Sequence, residues 1–390
     1  MEQLHFTRDQ VSKILDQIVQ EGGGVQELFK LALESIMRAE RELHNEKNSD
    51  VSNGFRLRKT LGRGKLLELR VPRSRYGHFY PVLLGLIKDQ EEECRKMAFS
   101  LYGAGLTTLQ VKEIFEDLYG RDYSTSQISR LFNYARQEVN QWLNRPLDTY
   151  YPILMIDATF IPTRREDSVS KEAYYTILGV KADKSREVLA IVNFPTESAS
   201  AWQEVFESIK RRGVNKVGLV VCDALIEIET AIWAVFPKVD VQLCVVHLQR
   251  NLIARYIKPK HKAEVSAELK EIFRRADKSY TKQKALKAWE LFCAKWGKYY
   301  PILLKKAKET RMELYFTYLK YDYRIQSMIY STNWIERLNR DYKKTTTVRG
   351  ALPNAEATIL LLGHVAMTRK AYEKKVPMLK NETKKFKWED

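Results

Sequence analysis

Apolar positions recur at helical spacing from residue 8 to 46: first Val11, Ile14, Leu15 and Ile18, then a second amphipathic run from Val25 to Leu43, with Gly22-Gly23-Gly24 breaking the pattern between them. Residues 45–54 read as a polar linker. The stretch 59-KTLGRGKLLELRVPRSRYG-77 alternates Leu67, Leu69 and Val71 after a glycine-containing turn and stops at a proline, which predicts a small β element. Residues 89–145 predict three helices. The middle one, 107–120, closes on Gly120 as a C-cap. The next, 124–142, opens with Ser124 and Gln127 in capping-box spacing. Its apolar stripe is Ile128, Leu131, Phe132, Ala135 and Val139, and Ser126, Arg130, Asn133 and Arg136 lie on the other face. A short helix, a turn and a capped helix with a polar, basic face form the helix-turn-helix pattern, although a three-helix bundle with a solvated face shares it.

After Pro146 the texture changes. Strands are predicted at 153–157, 174–181 and 187–194, then a helix at 199–212, a strand at 216–223, a helix at 225–236, a strand at 239–244 and a helix at 245–257. Residues 258–325 are helical, Lys-rich and dense in aromatics, and a final helix begins near 332. Asp157 ends the apolar run Ile153-Leu154-Met155-Ile156, and Asp223 ends 217-VGLVVCD-223. Strand ends of an α/β sheet open into the crevice where ligands bind. Two carboxylates meeting there repel unless a cation lies between them, and all-oxygen ligation suits Mg²⁺ or Mn²⁺. Each aspartate also has an ordinary reading as a turn or cap residue, Asp223 for a helix starting near Leu225. Glu336 is the candidate third ligand. Its ordinary reading is a capping-box partner of Asn333, yet Trp334, Arg337, Arg340, Lys343, Lys344 and Arg349 gather phosphate donors around it.

Length and charge sharpen the picture. A chain of 390 residues exceeds what one core usually spans, and 44% hydrophobic residues suffice for several. The 66 Lys and Arg against 49 Asp and Glu leave a net charge of +17, which favours a polyanionic partner, and nucleic acid in particular. Apolar runs such as 357-ATILLLGHVAM-367 are too short to span a membrane, and the first residues lack a signal-peptide core. Four scattered cysteines (Cys94, Cys222, Cys244, Cys293) fit a reducing cytoplasm, so a cytoplasmic, nucleoid-associated protein is expected. Gly64-Lys65 lacks the glycine spacing and hydroxyl residue of a P-loop.

The motifs MIDATF around Asp157, VVCDALIEIETAIWAVFPKVDVQLCVVHLQRNL at 220–252, STNWIERLNR around Glu336 and VPRSRYGHFYP at 71–81 resemble those of bacterial Mutator-type insertion-sequence transposases. The resemblance covers most of the chain. One departure is Ala224, where the family pattern expects Gly; it touches no catalytic position. The resemblance implies a DDE triad of Asp157, Asp223 and Glu336 on an RNase H-like fold, with two Mg²⁺ or Mn²⁺ ions per active site. It also implies double-stranded DNA as partner (the element's terminal inverted repeats and a target), at least a homodimer, and a copy-out route through a circular intermediate. The long 223-to-336 interval then requires an all-helical insertion.

The expected architecture is multidomain α/β. A helical region at 1–50, serving dimerisation or DNA binding, precedes a basic β element at 51–88 and a helix-turn-helix domain at 89–145. The RNase H-like core occupies 150–257 and 326–370 around the insertion at 258–325, and a basic tail follows at 371–390. Candidate DNA contacts are Ser126, Gln127, Arg130, Asn133 and Arg136 on the recognition helix; Arg63, Lys65, Arg73 and Arg75 on the β element; and Arg340, Lys343, Lys344 and Arg349 beside Glu336. Trp289 and Trp296, one face of a helix in the insertion, read either as core or as stacking platforms for a base. Cys244 and His247 supply two ligands and not the four of a structural zinc site, so they read as structural. A nuclease of the same fold, specific for a junction or an RNA–DNA hybrid, and a non-enzymatic DNA-binding regulator on the same scaffold are the alternatives. The helix-turn-helix and the long insertion speak against the first, the intact triad against the second.

Overall fold

The computed structural model describes residues 25–369 except 63–64, 77–78, 120–123, 166–167, 195–197, 226, 276 and 309, together with Arg8, Asp9, Ser12 and Tyr372. The helix expected before Gly22, the Gly120 cap, Arg63 and all of the basic tail but Tyr372 lie outside the described residues, as do the side chains of Lys65 and Gln127. Contacts divide the chain into two compact units, one up to Arg136 and one from Gln137.

In the first unit, helix α1 (Val25–Asn48) is followed by a two-stranded antiparallel sheet of β1 (Ser52–Gly62) and β2 (Lys65–Ser74). The polar linker is shorter than its composition suggests. Asn48 Nδ2 donates to the His44 carbonyl at 3.0 Å and Asn45 Nδ2 to Ser52 Oγ at 3.1 Å, so polar side chains that leave a helix undecided carry it to its last turn. Leu33 and Met37 of α1 bury against Leu69 and Val71 of β2 and against Leu84. The buried Glu34 carboxylate accepts from the Arg70 amide at 2.7 Å, so the pairing needs no neighbouring strand to satisfy that donor. Three helices follow: α2 (Val82–Gly103), α3 (Thr108–Tyr119) and α4 (Thr125–Leu143). A reciprocal capping box forms ahead of α3, where Thr107 N donates to Gln110 Oε1 at 2.9 Å and Gln110 N to Thr107 Oγ1 at 3.3 Å. The predicted stripe of α4 is buried, with Tyr102 of α2 against Phe132 at 5.0 Å between ring centroids.

The second unit holds a five-stranded mixed sheet in the order β5-β4-β3-β6-β7. Its strands are β3 (Tyr150–Arg165), β4 (Ser168–Val180), β5 (Arg186–Asn193), β6 (Lys216–Cys222) and β7 (Asp240–Leu243). β4 is antiparallel to both β3 and β5, whereas β6 runs parallel to β3 and β7 to β6. The continuous apolar start of β3 follows from its central position, where every residue from Tyr151 to Asp157 is buried. Helix α5 (Ala199–Arg211) connects β5 to β6. Ser198 Oγ caps it, accepting from Ala201 N at 3.2 Å, and its Trp202 and Phe206 rings pack inward. Helix α6 (Ile228–Val235) is shorter than predicted, because Glu227 adopts a left-handed conformation (φ 52°) and the chain before it is not helical. Asp223 therefore caps no helix; its Oδ1 accepts from the next amide, Ala224 N, at 2.8 Å. Gly218 leaves no room for a side chain: a Cβ there would lie 2.6 Å from the Pro152 carbonyl oxygen of the neighbouring strand. Gly218→Ala is expected to destabilise the fold by about 1–3 kcal/mol, read as a lowered melting temperature.

After α7 (Val245–Arg255) come α8 (Lys262–Ile272), α9 (Lys282–Gly297), α10 (Pro301–Ala307) and a 3-10 segment at Thr310–Lys320. This helical insertion corrects the stacking role considered for the two tryptophans. Trp289 is 1% and Trp296 3% exposed. Trp289 stacks on Phe292, and Trp296 Nε1 donates to Glu268 Oε2 at 3.1 Å. Their seven-residue spacing puts both into the core between α8 and α9, away from any passing base. The chain ends with α11 (Gln326–Ile329), α12 (Asn333–Arg349) and α13 (Ala355–Met367), one long helix more than predicted after residue 332. Among the described residues no helix is long and apolar enough to cross a membrane.

Candidate active site

The parallel register of β3 and β6 sets the site. Ile156 pairs with Cys222, so the next residues, Asp157 and Asp223, follow side by side; β6 stops at Cys222, but β3 does not end at Asp157 as its apolar run predicts, because pairing with β4 carries it on to Arg165. The same register continues into β7, where Cys222 pairs with Leu243 and Cys244 N donates to the Cys222 carbonyl at 2.7 Å. Helix α7 starts there and brings His247 Nδ1 to 3.7 Å from Asp223 Oδ2, an ion-pair distance longer than a hydrogen bond.

Helix α12 brings the third acid and packs on β3. Its start is tied to the start of α7 twice: Val245 N donates to the Tyr330 carbonyl at 3.0 Å, and the buried Thr332 hydroxyl donates to Cys244 Sγ at 3.7 Å. On the other side, Trp334 meets the Arg186 guanidinium at 4.9 Å. The N-cap of α12 is Thr332, with no side-chain cap bond, so the expected capping box of Asn333 and Glu336 does not form. Glu336 is in the first turn and within electrostatic reach of Asp157. One turn on, Asn339 Nδ2 donates to Asp157 Oδ2 at 2.9 Å, while Asn339 Oδ1 is buried without a partner. In sequence Asn339 merely lies beside Arg340 and Lys343 of the basic row of this helix. Its i+3 spacing from Glu336 was the available signal.

Asp157 is only 7% exposed, and burial is the main cause that pushes its carboxyl up to about 6. Asp223 and Glu336 push it the same way, and His247 and the Ala158 amide oppose them. His247 is raised to about 9, first by the Cys244 side chain beside it and then by Asp223 and Asp157, against the effect of burial. The raised value favours a protonated ring beside Asp223 and Asp157. No group of three or more His, Cys, Asp or Glu side chains among the described residues stands arranged to hold a metal ion. The donor chemistry nevertheless suits a hard cation: two carboxylates that raise the proton affinity of Asp157, and an orphaned buried amide oxygen next to it.

The expected DNA contacts separate by exposure. Arg340, Lys343 and Lys344 are exposed along α12, and Arg349 is half-buried at its end. On α4, Ser126, Arg130 and Asn133 are exposed, whereas Arg136 is half-buried and donates to Asn133 Oδ1 at 3.5 Å. Arg73 and Arg75 are exposed at the end of the β1–β2 sheet. A cluster invisible in the sequence lies on the same sheet: the guanidinium carbons of Arg38, Arg41 and Arg70 sit 5.1, 5.1 and 5.2 Å from the centre of the partly exposed Phe55 ring. Three chain segments contribute to it, so no local pattern reveals it.

A family model described as "Transposase, Mutator family" matches residues 2–374. The chain is similar to the transposase for insertion sequence element IS1201 of Lactobacillus helveticus, at 28% identity over 93% of this chain and 96% of that protein. It is 31% identical to the transposase for ISRM3 of Rhizobium meliloti, over 87% and 85% of the two chains. The transposase for IS256 in transposon Tn4001 of Staphylococcus aureus is 28% identical, over 94% and 95%.

Proposed function

The chain belongs to the Mutator family of transposases, and from that premise we propose that it binds the ends of an insertion sequence, cleaves DNA there and joins the freed end to a target. The observation that carries this reading is the meeting of Asp157, midway along β3, and Asp223, just past the end of the parallel strand β6, with α12 bringing Glu336 within electrostatic reach of Asp157. The sheet order, three antiparallel strands extended by two parallel ones, supports an RNase H-like core interrupted by a helical insertion. Asp157, Asp223 and Glu336 would hold Mg²⁺ or Mn²⁺, two ions per site. Mg²⁺ typically takes one or two protein carboxylates and completes its shell with water and substrate phosphate oxygens, so a preformed protein cage is not required. When bound, such ions polarise a phosphodiester and stabilise the attacking and leaving oxygens. The chain's own residues prepare the place. Asn339 fixes the orientation of Asp157, the Cys244–Thr332 contact fixes the entry of α12, and His247 offsets the acids' repulsion before the ions arrive.

DNA is held elsewhere. We read α3 and α4 as a helix-turn-helix, with the first turns of α4 in the major groove, and the basic sheet of β1 and β2 as a phosphate grip. Two ends must be joined, so at least a dimer acts. Arg130→Ala is expected to cost about 1–3 kcal/mol in binding if it pairs with a guanine, and to relax preference at one position. Equal weakening on all sequences would make it a phosphate contact instead. Along α12, Lys343 lies two turns beyond Glu336 on the same face. Lys343→Ala is expected to slow strand transfer more than it weakens end recognition, and to lower the salt slope of binding by about one phosphate's worth. An unchanged slope together with an unchanged transfer rate would make it a solvated charge. The overall reading is tested by selecting from a random duplex library what the protein binds and what it cuts in Mg²⁺. It expects a defined end sequence with a cut at a fixed distance; binding without any cut would contradict it.

A further inference from the structure

A second basic site lies at the opposite end of the sheet. The starts of β3, β6 and β7 open into a cleft of about 1050 Å³, bordered by Tyr150, Lys210, Lys216, Lys238, Lys320 and Tyr321. The carboxylates on its wall are already neutralised. Asp240 takes Lys320 Nζ at 2.6 Å and the Tyr321 hydroxyl at 3.1 Å, and Asp322 takes Arg324 Nε at 2.8 Å. Among the described residues the other three lysines make no ion pair with an acid. Lys216 Nζ lies 5.2 Å from the centre of the Tyr150 ring, Lys210 Nζ reaches only the Val235 carbonyl at 3.5 Å, and all three are exposed. Three unpaired ammonium groups around an open, partly aromatic cleft select for phosphate. The open shape favours a length of nucleic-acid backbone over an enclosed metabolite.

The cleft is not an extension of the candidate active site. Tyr150 and Asp157 are seven residues apart on one strand, which at about 3.3 Å per residue puts about 23 Å between the cleft and the carboxylates. A phosphate in the cleft is therefore not the one being cut. We propose that Lys210, Lys216 and Lys238 bind the backbone of a second, non-reacting segment of double-stranded DNA. The proposal rests on the reading of the chain as a DNA-joining enzyme and extends it: the protein grips DNA at both ends of its sheet.

The test compares the full-length wild-type protein with the triple variant Lys210→Gln, Lys216→Gln, Lys238→Gln. Binding to a duplex of roughly 40 bp, free of end sequence, is measured against salt. Each lost phosphate contact removes about 0.9 from the slope of log affinity against log salt, so the triple variant is expected to lose about two to three. Cleavage of a short pre-bound end duplex should not change, because none of the three residues belongs to the cutting site. In parallel, lysine acetylation is mapped with the duplex present or with a nucleoside triphosphate alone. The duplex should protect the three lysines and the triphosphate should not. Protection by the triphosphate and not by the duplex would overturn the proposal in favour of a small phosphate ligand. An unchanged slope with unprotected lysines would overturn it outright. A wild type that binds no duplex at all would instead overturn the underlying functional reading.

Discussion

Asp157→Asn, Asp223→Asn and Glu336→Gln are each expected to abolish DNA cleavage while leaving end binding within a few fold of wild type. The three carboxylates lie on separate elements, Asp157 midway along β3, Asp223 just past the end of β6 and Glu336 in the first turn of α12. Losing one anionic ligand weakens the hold on a Lewis acid that contributes several kcal/mol of transition-state stabilisation. At about 1.4 kcal/mol per tenfold in rate, the loss amounts to roughly a thousandfold or more. Single-turnover cleavage of an end duplex, with binding measured separately, checks this. Asn339→Ala belongs in the same series. It leaves the three acids in place but frees Asp157 from its 2.9 Å hydrogen bond, so cleavage is expected to fall by a smaller factor, on the order of tenfold to a hundredfold. Near-normal cleavage by any of the three acid variants would remove that residue from the triad.

Removing the metal is expected to be as severe. EDTA should stop both cleavage and strand transfer, and Mg²⁺ or Mn²⁺ should restore them. Ca²⁺ should support binding to the end but little chemistry, because its looser coordination does not align the attacking and leaving oxygens. The site explains why metal dependence should be strict. Asp157 is buried and its proton affinity is raised by the burial and by two further acids, with His247 and the Ala158 amide opposing them. Without a divalent ion a phosphodiester would meet that group of acids with little positive charge to receive it. Full activity in EDTA would exclude a metal role for the carboxylates.

The parts of this fold governed by period were legible in the sequence. The buried run before Asp157, the matching run before Asp223 and the apolar stripe of α4 each carry their own signal, because a residue's neighbours in sequence share its face. What depends on distant partners was not legible. Asn339 bonds to Asp157 across 182 residues of chain, and Thr332 reaches the Cys244 sulfur only because α7 and α12 start side by side. The Phe55 cluster draws on α1 and on both strands of the small sheet. Trp289 and Trp296 show the limit from the other side. Their spacing marks a helix face correctly, but whether that face meets solvent or α8 is decided by packing, and they are buried. The capping box expected at Asn333 likewise does not form, while reciprocal bonds form at Thr107 and Gln110, since the short polar side chains at both places satisfy the pattern.

The most direct test is a strand-transfer assay. A duplex carrying the selected end sequence, pre-cut to expose its 3′-hydroxyl, is incubated in Mg²⁺ with the protein and a supercoiled plasmid. The account predicts plasmid joined covalently to the end, no product from the same duplex ending in a 3′-deoxy sugar, and no product with Asp157→Asn. Nicked plasmid without joined ends would mark a nuclease, bound duplex without any chemistry would mark a regulator, and either result would contradict the account.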